Sequence, residues 1–143
     1  MNHTEVRAVL GDLGEKLYFS LFGGKQNEDW FDSTGDGFNG LRELAEVKTQ
    51  RLFLKMGGAV TISDTETQLN KCLTVKRFIA VVIPQTGSKI QIREVIDRTY
   101  ERYTTSKGKK MIAFRNHVLL TVHDDLSLAN QMRELSQSTY FKG

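Results

Sequence analysis

Asp29, Asp32 and Asp36 stand close together in the chain, and the triplet Glu46-Val47-Lys48 follows them. If Glu46 to Lys48 is a strand, its side chains alternate: Glu46 and Lys48 share one face, while Ala45, Val47 and Thr49 take the other. A carboxylate and an ammonium are then held side by side. Partly buried acids are costly without a neutralising charge, and paired carboxylates are the oxygen donors that a hard cation such as Mg²⁺ accepts. The chemistry these residues could do is metal-assisted hydrolysis, with the acids holding the ion and Lys48 beside the attacking water.

Something must bring the two groups of residues together, and Asn39-Gly40 is the signal for it. Both residues tolerate the positive φ angles of a two-residue type I′ turn, so a β-hairpin is predicted here with antiparallel strands on either side. A strict two-residue turn pairs Asp36 with Glu43 and Ser33 with Glu46. Asp36 therefore meets Glu46 only if the hairpin is bulged, which the flanking Gly35 and Gly37 would permit. In a regular ladder Asp32, near Val47, is the better-placed first acid.

An acid, ten positions, and then Glu-x-Lys on the next strand resembles the PD-(D/E)XK nuclease superfamily, which includes restriction enzymes, Holliday-junction resolvases and lambda-type exonucleases. Asp36 and Glu46-Val47-Lys48 carry the likeness, Glu-Val-Lys-Thr-Gln is a common form of the second half-motif, and Gly35 stands where the motif has proline. The short chain also looks like small phage-encoded nucleases. The resemblance implies an α/β fold with a central mixed sheet flanked by helices, the restriction-endonuclease-like core. It implies hydrolysis of phosphodiesters, most of all in DNA, with Mg²⁺ or Mn²⁺ held by Asp36, Glu46 and the carbonyl of Val47, and with Asp32 as the rival ligand. Lys48 would orient or deprotonate the water. Gly14-Glu15 is similar to the first-helix glutamate that superfamily members often add to the metal site. Gln68-Leu69-Asn70-Lys71 resembles their auxiliary helix motif, in which Gln68 and Lys71 position phosphate or water. The alternative is a non-catalytic DNA-binding or interaction module that keeps the fold without turnover. Within the nuclease class a resolvase would act as a homodimer, matching the two-fold symmetry of a junction.

The rest of the chain reads as support. Its 143 residues, 39% of them hydrophobic, suit a single domain spanning 1–143 with one core. The single cysteine, Cys72, allows no intramolecular disulfide, which fits a reducing cytoplasm, and its apolar neighbours make it a core residue rather than a nucleophile. No apolar run approaches the length of a membrane span, so no membrane partner is expected. Twenty Lys and Arg against 17 Asp and Glu give a net charge of +3, which permits a nucleic-acid partner without demanding one. His3, His117 and His123 lack zinc-ligand spacing.

Helical spacing of Val6, Val9, Leu10, Leu13, Leu17 and Leu21 predicts an amphipathic helix from Thr4 to about Phe22, stopped by Gly23-Gly24. Lys25 to Glu28 reads as a polar connection. After the hairpin, which can run on to Lys55, Ala59 to Ser63 is predicted as the third strand of a meander. Thr67 to Val75 reads as a short helix, Arg77 to Ile83 as a central strand apolar on both faces, and Lys89 to Ile96 as its neighbour. Asp97 to Lys110 is predicted to be an irregular polar loop. There Arg98 and Arg102 interleave with Tyr100 and Tyr103, and Lys107, Lys109 and Lys110 form a basic run, a mixture suited to stacking on bases and holding phosphates. Met111 to Asp124 reads as one strand or a bent pair, and Asp125-Leu126-Ser127 begins a last helix.

Overall fold

The computed structural model describes residues 2–26, 35–51 and 58–141, with side chains described as far as residue 137. The architecture is α/β. A six-stranded mixed sheet has the order β1 (Gly24–Gln26), β2 (Gly37–Asn39), β3 (Leu44–Arg51), β5 (Arg77–Ile83), β6 (Lys89–Val95), β9 (His117–Asp124). A three-stranded antiparallel sheet has the order β4 (Val60–Ser63), β8 (Lys110–Phe114), β7 (Tyr100–Thr104). Three helices complete it: α1 (His3–Phe22), α2 (Glu66–Thr74) and α3 (Leu126–Phe141).

The central strand explains the layering. Six of the seven residues of β5 are buried, so both of its faces need cover. On one face Ile79, Val81 and Ile83 pack with Leu10 and Leu17 of α1 and Ala129 and Met132 of α3. On the other, Phe78, Ala80 and Val82 pack with Cys72 of α2, Val60 and Ile62 of β4, and Ile112 and Phe114 of β8. Each large aliphatic side chain so buried contributes roughly 1.5–3 kcal/mol. The cover on the second face is thus mostly a second sheet, with one helix.

That demand overturns the predicted meander. β4 does not pair with β3; it pairs with β8, Ile62 opposite Ile112. The edge of β3 turned away from the hairpin belongs to β5, which runs parallel to it with Glu46 opposite Phe78 and Lys48 opposite Ala80. The loop expected from Asp97 to Lys110 is also largely ordered, because Tyr100 to Thr104 forms β7 and pairs with β8. Met111 to Asp124 divides between the two sheets as β8 and β9. Gly24 to Gln26, expected as a connection, adds an edge strand to β2. The helix limits agree within a residue or two of the expectation.

The hairpin forms, but not with its expected turn. Its loop is three residues, Gly40 to Arg42: the Asn39 N–H donates to the Glu43 carbonyl (3.1 Å), and the Arg42 N–H donates to the Asn39 carbonyl (2.9 Å). Arg42, at φ 62°, takes the left-handed position, the usual form of a three-residue hairpin loop. The Asn39 side chain fixes the loop by accepting from the Leu41 N–H (2.9 Å) and the Glu43 N–H (3.0 Å). Gly40 is there for closeness instead of for a positive φ, since a Cβ on it would lie 2.9 Å from the Phe22 carbonyl oxygen.

Candidate functional site

Loop length sets the register, and the register sets the site. With Gly37 opposite Ala45 and Phe38 opposite Leu44, the ladder continues one step to bring Asp36 beside Glu46. The Asp36 N–H donates to the Ala45 carbonyl (2.8 Å), and Asp36 Oδ2 accepts from the Val47 N–H (2.8 Å). The expected bulge is therefore unnecessary: a loop one residue longer than predicted does its work. Asp29 and Asp32 lie outside the described residues.

Glu15 arrives from α1. Its approach depends on Gly14, which packs so tightly on β3 that a Cβ there would lie 1.9 Å from Thr49 Oγ1. Glu15 Oε2 accepts from Gln26 Nε2, and the same amide donates to Asp12 Oδ1 at 2.8 Å. Glu15 also lies near enough to Asp36 and Glu46 for the charges of the three acids to bear on one another.

Glu46 and Lys48 share a face as expected. Lys48 Nζ stands 3.3 Å from Glu46 Oε1 and donates to Gln68 Oε1 of α2. Glu46 is 1% exposed, and its Oε2 is buried with no hydrogen-bond partner. Burial, with the charge of Asp36 next to it, pushes the Glu46 carboxyl up to about 7, against the pull of Lys48 and Lys71. Burial and the neighbouring Glu15 raise Asp36 to about 6, which the Val47 hydrogen bond partly opposes. Glu15 is raised as well, chiefly by burial.

These groups line one cleft of about 550 Å³, which straddles the edge of β3. Its walls are α1 on one side and α2, β4 and the β7–β8 hairpin on the other. Arg7, Lys48, Lys71 and Lys109 bring positive charge to it, and Glu15, Asp36 and Glu46 bring negative charge. Among the described residues, no three His, Cys, Asp or Glu side chains are already set as the ligands of one ion. The donors nonetheless fit a hard cation: they are carboxylate oxygens, one of them is orphaned and buried, and all three acids are held above their ordinary range, first by burial and then by one another's charge.

The residues expected to bind DNA divide. Gln68, Lys71 and Lys109 line the cleft. Arg98 is occupied elsewhere: its guanidinium donates to the carbonyls of Cys72 (2.6 Å), Val75 (3.1 Å), Lys76 (3.3 Å) and Val95 (3.4 Å), and stands over the Phe78 ring. It clamps the end of α2 to the sheet. Arg102 pairs with Asp64 at 3.1 Å and lies over Tyr100. Lys107 and Lys110 are exposed on the β7–β8 hairpin, away from the cleft lining. Cys72 is buried in the core, its thiol pushed up to about 12.

Two cleft or site residues escaped the sequence. Arg7 lies two four-residue steps before Glu15 on α1, so helical spacing could have placed it on the same stripe. Gln26 left no signal, since a three-residue strand is too short to show alternation. The chain matches no protein-family model and no curated protein sequence. No described helix is long and apolar enough to cross a membrane.

Proposed function

We propose that the chain is a metal-dependent nuclease that hydrolyses phosphodiester bonds, most of all in DNA, and that its likeness to the PD-(D/E)XK superfamily reflects this chemistry. The observation that carries the reading is the meeting of Glu15, Asp36 and Glu46 with Lys48 at the edge of β3, where Glu46 Oε2 is buried without a partner. Asp36 and Glu46 would hold Mg²⁺ or Mn²⁺, with Glu15 close enough to assist. Bound there, the cation would polarise a phosphoryl oxygen and acidify water.

The protein's own groups account for the rest. Gln68 Oε1 and Glu46 Oε1 fix Lys48 Nζ from two elements, so its ammonium has one position in the cleft. From there it orients water and offsets the charge that develops on the phosphorus oxygens. Burial of Glu46, with Asp36 half-buried beside it, lowers the local polarity, which strengthens each of these interactions. Arg7, Lys71 and Lys109 are placed to take phosphates on either side. Cleavage of two-fold junctions would further require a two-fold dimer.

The test is cleavage of labelled DNA in Mg²⁺, Mn²⁺, Ca²⁺ or EDTA by the wild type and by Lys48→Ala. Mg²⁺ or Mn²⁺ supports cutting, Ca²⁺ supports binding with little turnover, and Lys48→Ala loses roughly 10²–10⁴-fold in rate while it still binds. Cutting in excess EDTA would remove the metal from the mechanism. Binding without cutting in every metal would leave the non-catalytic module.

A further inference from the structure

The six-stranded sheet ends on β9, and that edge is open in a way the other edges are not. Among the described residues, β1 and β4 end their sheets with strands of three and four residues, and β7 carries Glu101 and Arg102. Short length and charge are the usual means of keeping a sheet edge from pairing. β9 has eight residues, and from His117 to His123 none is Asp, Glu, Lys, Arg or Pro. Val118, Leu119, Leu120 and Val122 are 39–46% exposed, so neither α3 nor the second sheet covers this strand. Leu119 and Val122 stand opposite Arg93 and Gln91 on one face, and Val118 stands opposite Glu94 on the other.

The backbone of β9 selects its partner. The Asn116 carbonyl accepts from the Ile96 N–H (3.0 Å) and the Asp125 N–H donates to the Ser88 carbonyl (2.9 Å), so at both ends these groups are turned toward β6. Alternation from one end turns the backbone of His117 and Leu119 to the open side, and from the other end that of Asp124 and Val122. Leu120, which has no partner in β6, is the bulge that lets the two counts meet. The outward residues are therefore symmetric about the midpoint of Leu120 and Thr121.

We propose that β9 pairs with β9 of a second copy of the chain, antiparallel about a two-fold axis, making one continuous sheet from two molecules. A two-fold interface requires every contact to be matched by its reverse. Leu119 meets Val122 of the second copy and Val122 meets its Leu119, an apolar cross-strand pair made twice. His117, whose ring accepts from Arg93 Nε (2.8 Å), meets Asp124, so opposite charges close both ends. An unrelated strand could bond the backbone, but a second copy also brings apolar residues to both faces of the edge and a carboxylate to each basic end. This pairing goes beyond the nuclease reading and does not depend on it.

The test is sedimentation velocity over a range of concentrations, with circular dichroism to check folding, on wild type, Leu119→Lys, Val122→Glu and an equimolar mixture of the two variants. The wild type should sediment as a dimer and no larger, since a two-fold pairing uses up the edge. Each variant alone should keep the wild-type fold, because both positions are exposed, and should dimerise at least about tenfold more weakly. The mixture should regain a dimer of one chain of each, because the new lysine of one then stands opposite the new glutamate of the other. A wild type that stays monomeric at every concentration, its edge left bare or for another protein, overturns the inference. So does a dimer that both variants retain, or a pair of monomeric variants that stay apart when mixed.

Discussion

Replacing Glu46 by Gln removes a negative charge that the fold holds in a dry place. Its carboxyl rises from 4.5 in an unfolded chain to about 7, so between those values the folded protein binds a proton that the unfolded chain releases. Stability therefore declines as pH rises through that window and stays low above it. The shift corresponds to about 3 kcal/mol, and burial to 1% exposure leaves little solvent to screen it. Loss of the contact to Lys48 offsets part of this, so in chelator at pH 8 Glu46→Gln should be about 1–3 kcal/mol more stable than wild type, or roughly 3–8 °C in melting temperature. Below pH 4.5 the two curves should converge. Adding Mn²⁺ at pH 8 should reverse the order, because the wild type gains about 4 kcal/mol when the ion is at a thousand times its dissociation constant. Melts followed by circular dichroism from pH 4 to 9, with EDTA or Mn²⁺, provide the measurement. Parallel curves at every pH in EDTA, or a variant less stable at pH 8, would show that Glu46 is not a strained charge.

Gly14→Ala should destabilise the protein by about 1–3 kcal/mol, because the new methyl meets Thr49 Oγ1 at 1.9 Å; Thr49→Ala in the same chain should restore part of that loss, and urea denaturation of the single and double variants measures it. Arg98→Met should lower the melting temperature by several degrees while DNA affinity in Ca²⁺ changes less than twofold, since its guanidinium serves backbone carbonyls and lies off the cleft. A large affinity loss with unchanged stability would return Arg98 to the DNA-binding surface.

Features that depend on neighbouring residues in the chain could be read from it. The periodicity of α1, the apolar run of β5 and the facing of Glu46 with Lys48 follow from residues a few positions apart. Glu15, Asp36, Glu46 and Lys48 come together as expected. The turn was misread because Asn39-Gly40 carries a strong local preference that a distant contact overrides: the tight fit of Gly40 against the Phe22 carbonyl. The partner of β4 was hidden for a similar reason, since alternation shows that Val60 and Ile62 face a core without showing which strand lies beside them. Arg98 reads as a surface cation because no sequence pattern reveals four backbone carbonyls gathered round one guanidinium, three of them from residues 72–76, more than twenty positions away.

The parallel pairing of β3 with β5 has a bearing on how the chain reaches this state. β3 ends at Arg51 and β5 begins at Arg77, so the two central strands cannot join until residues 52–76 have looped round, and closing that loop costs entropy before any contact repays it. α1 and the β2–β3 hairpin are local and can form early, bringing Glu15, Asp36 and Glu46 near one another while β3 still has an edge open to water. Gln68 and Lys71, carried on the crossover itself, join only when that edge closes. In that order the acids would gather first in a hydrated half-site, and the step that dries Glu46 would also deliver Gln68, which holds Lys48.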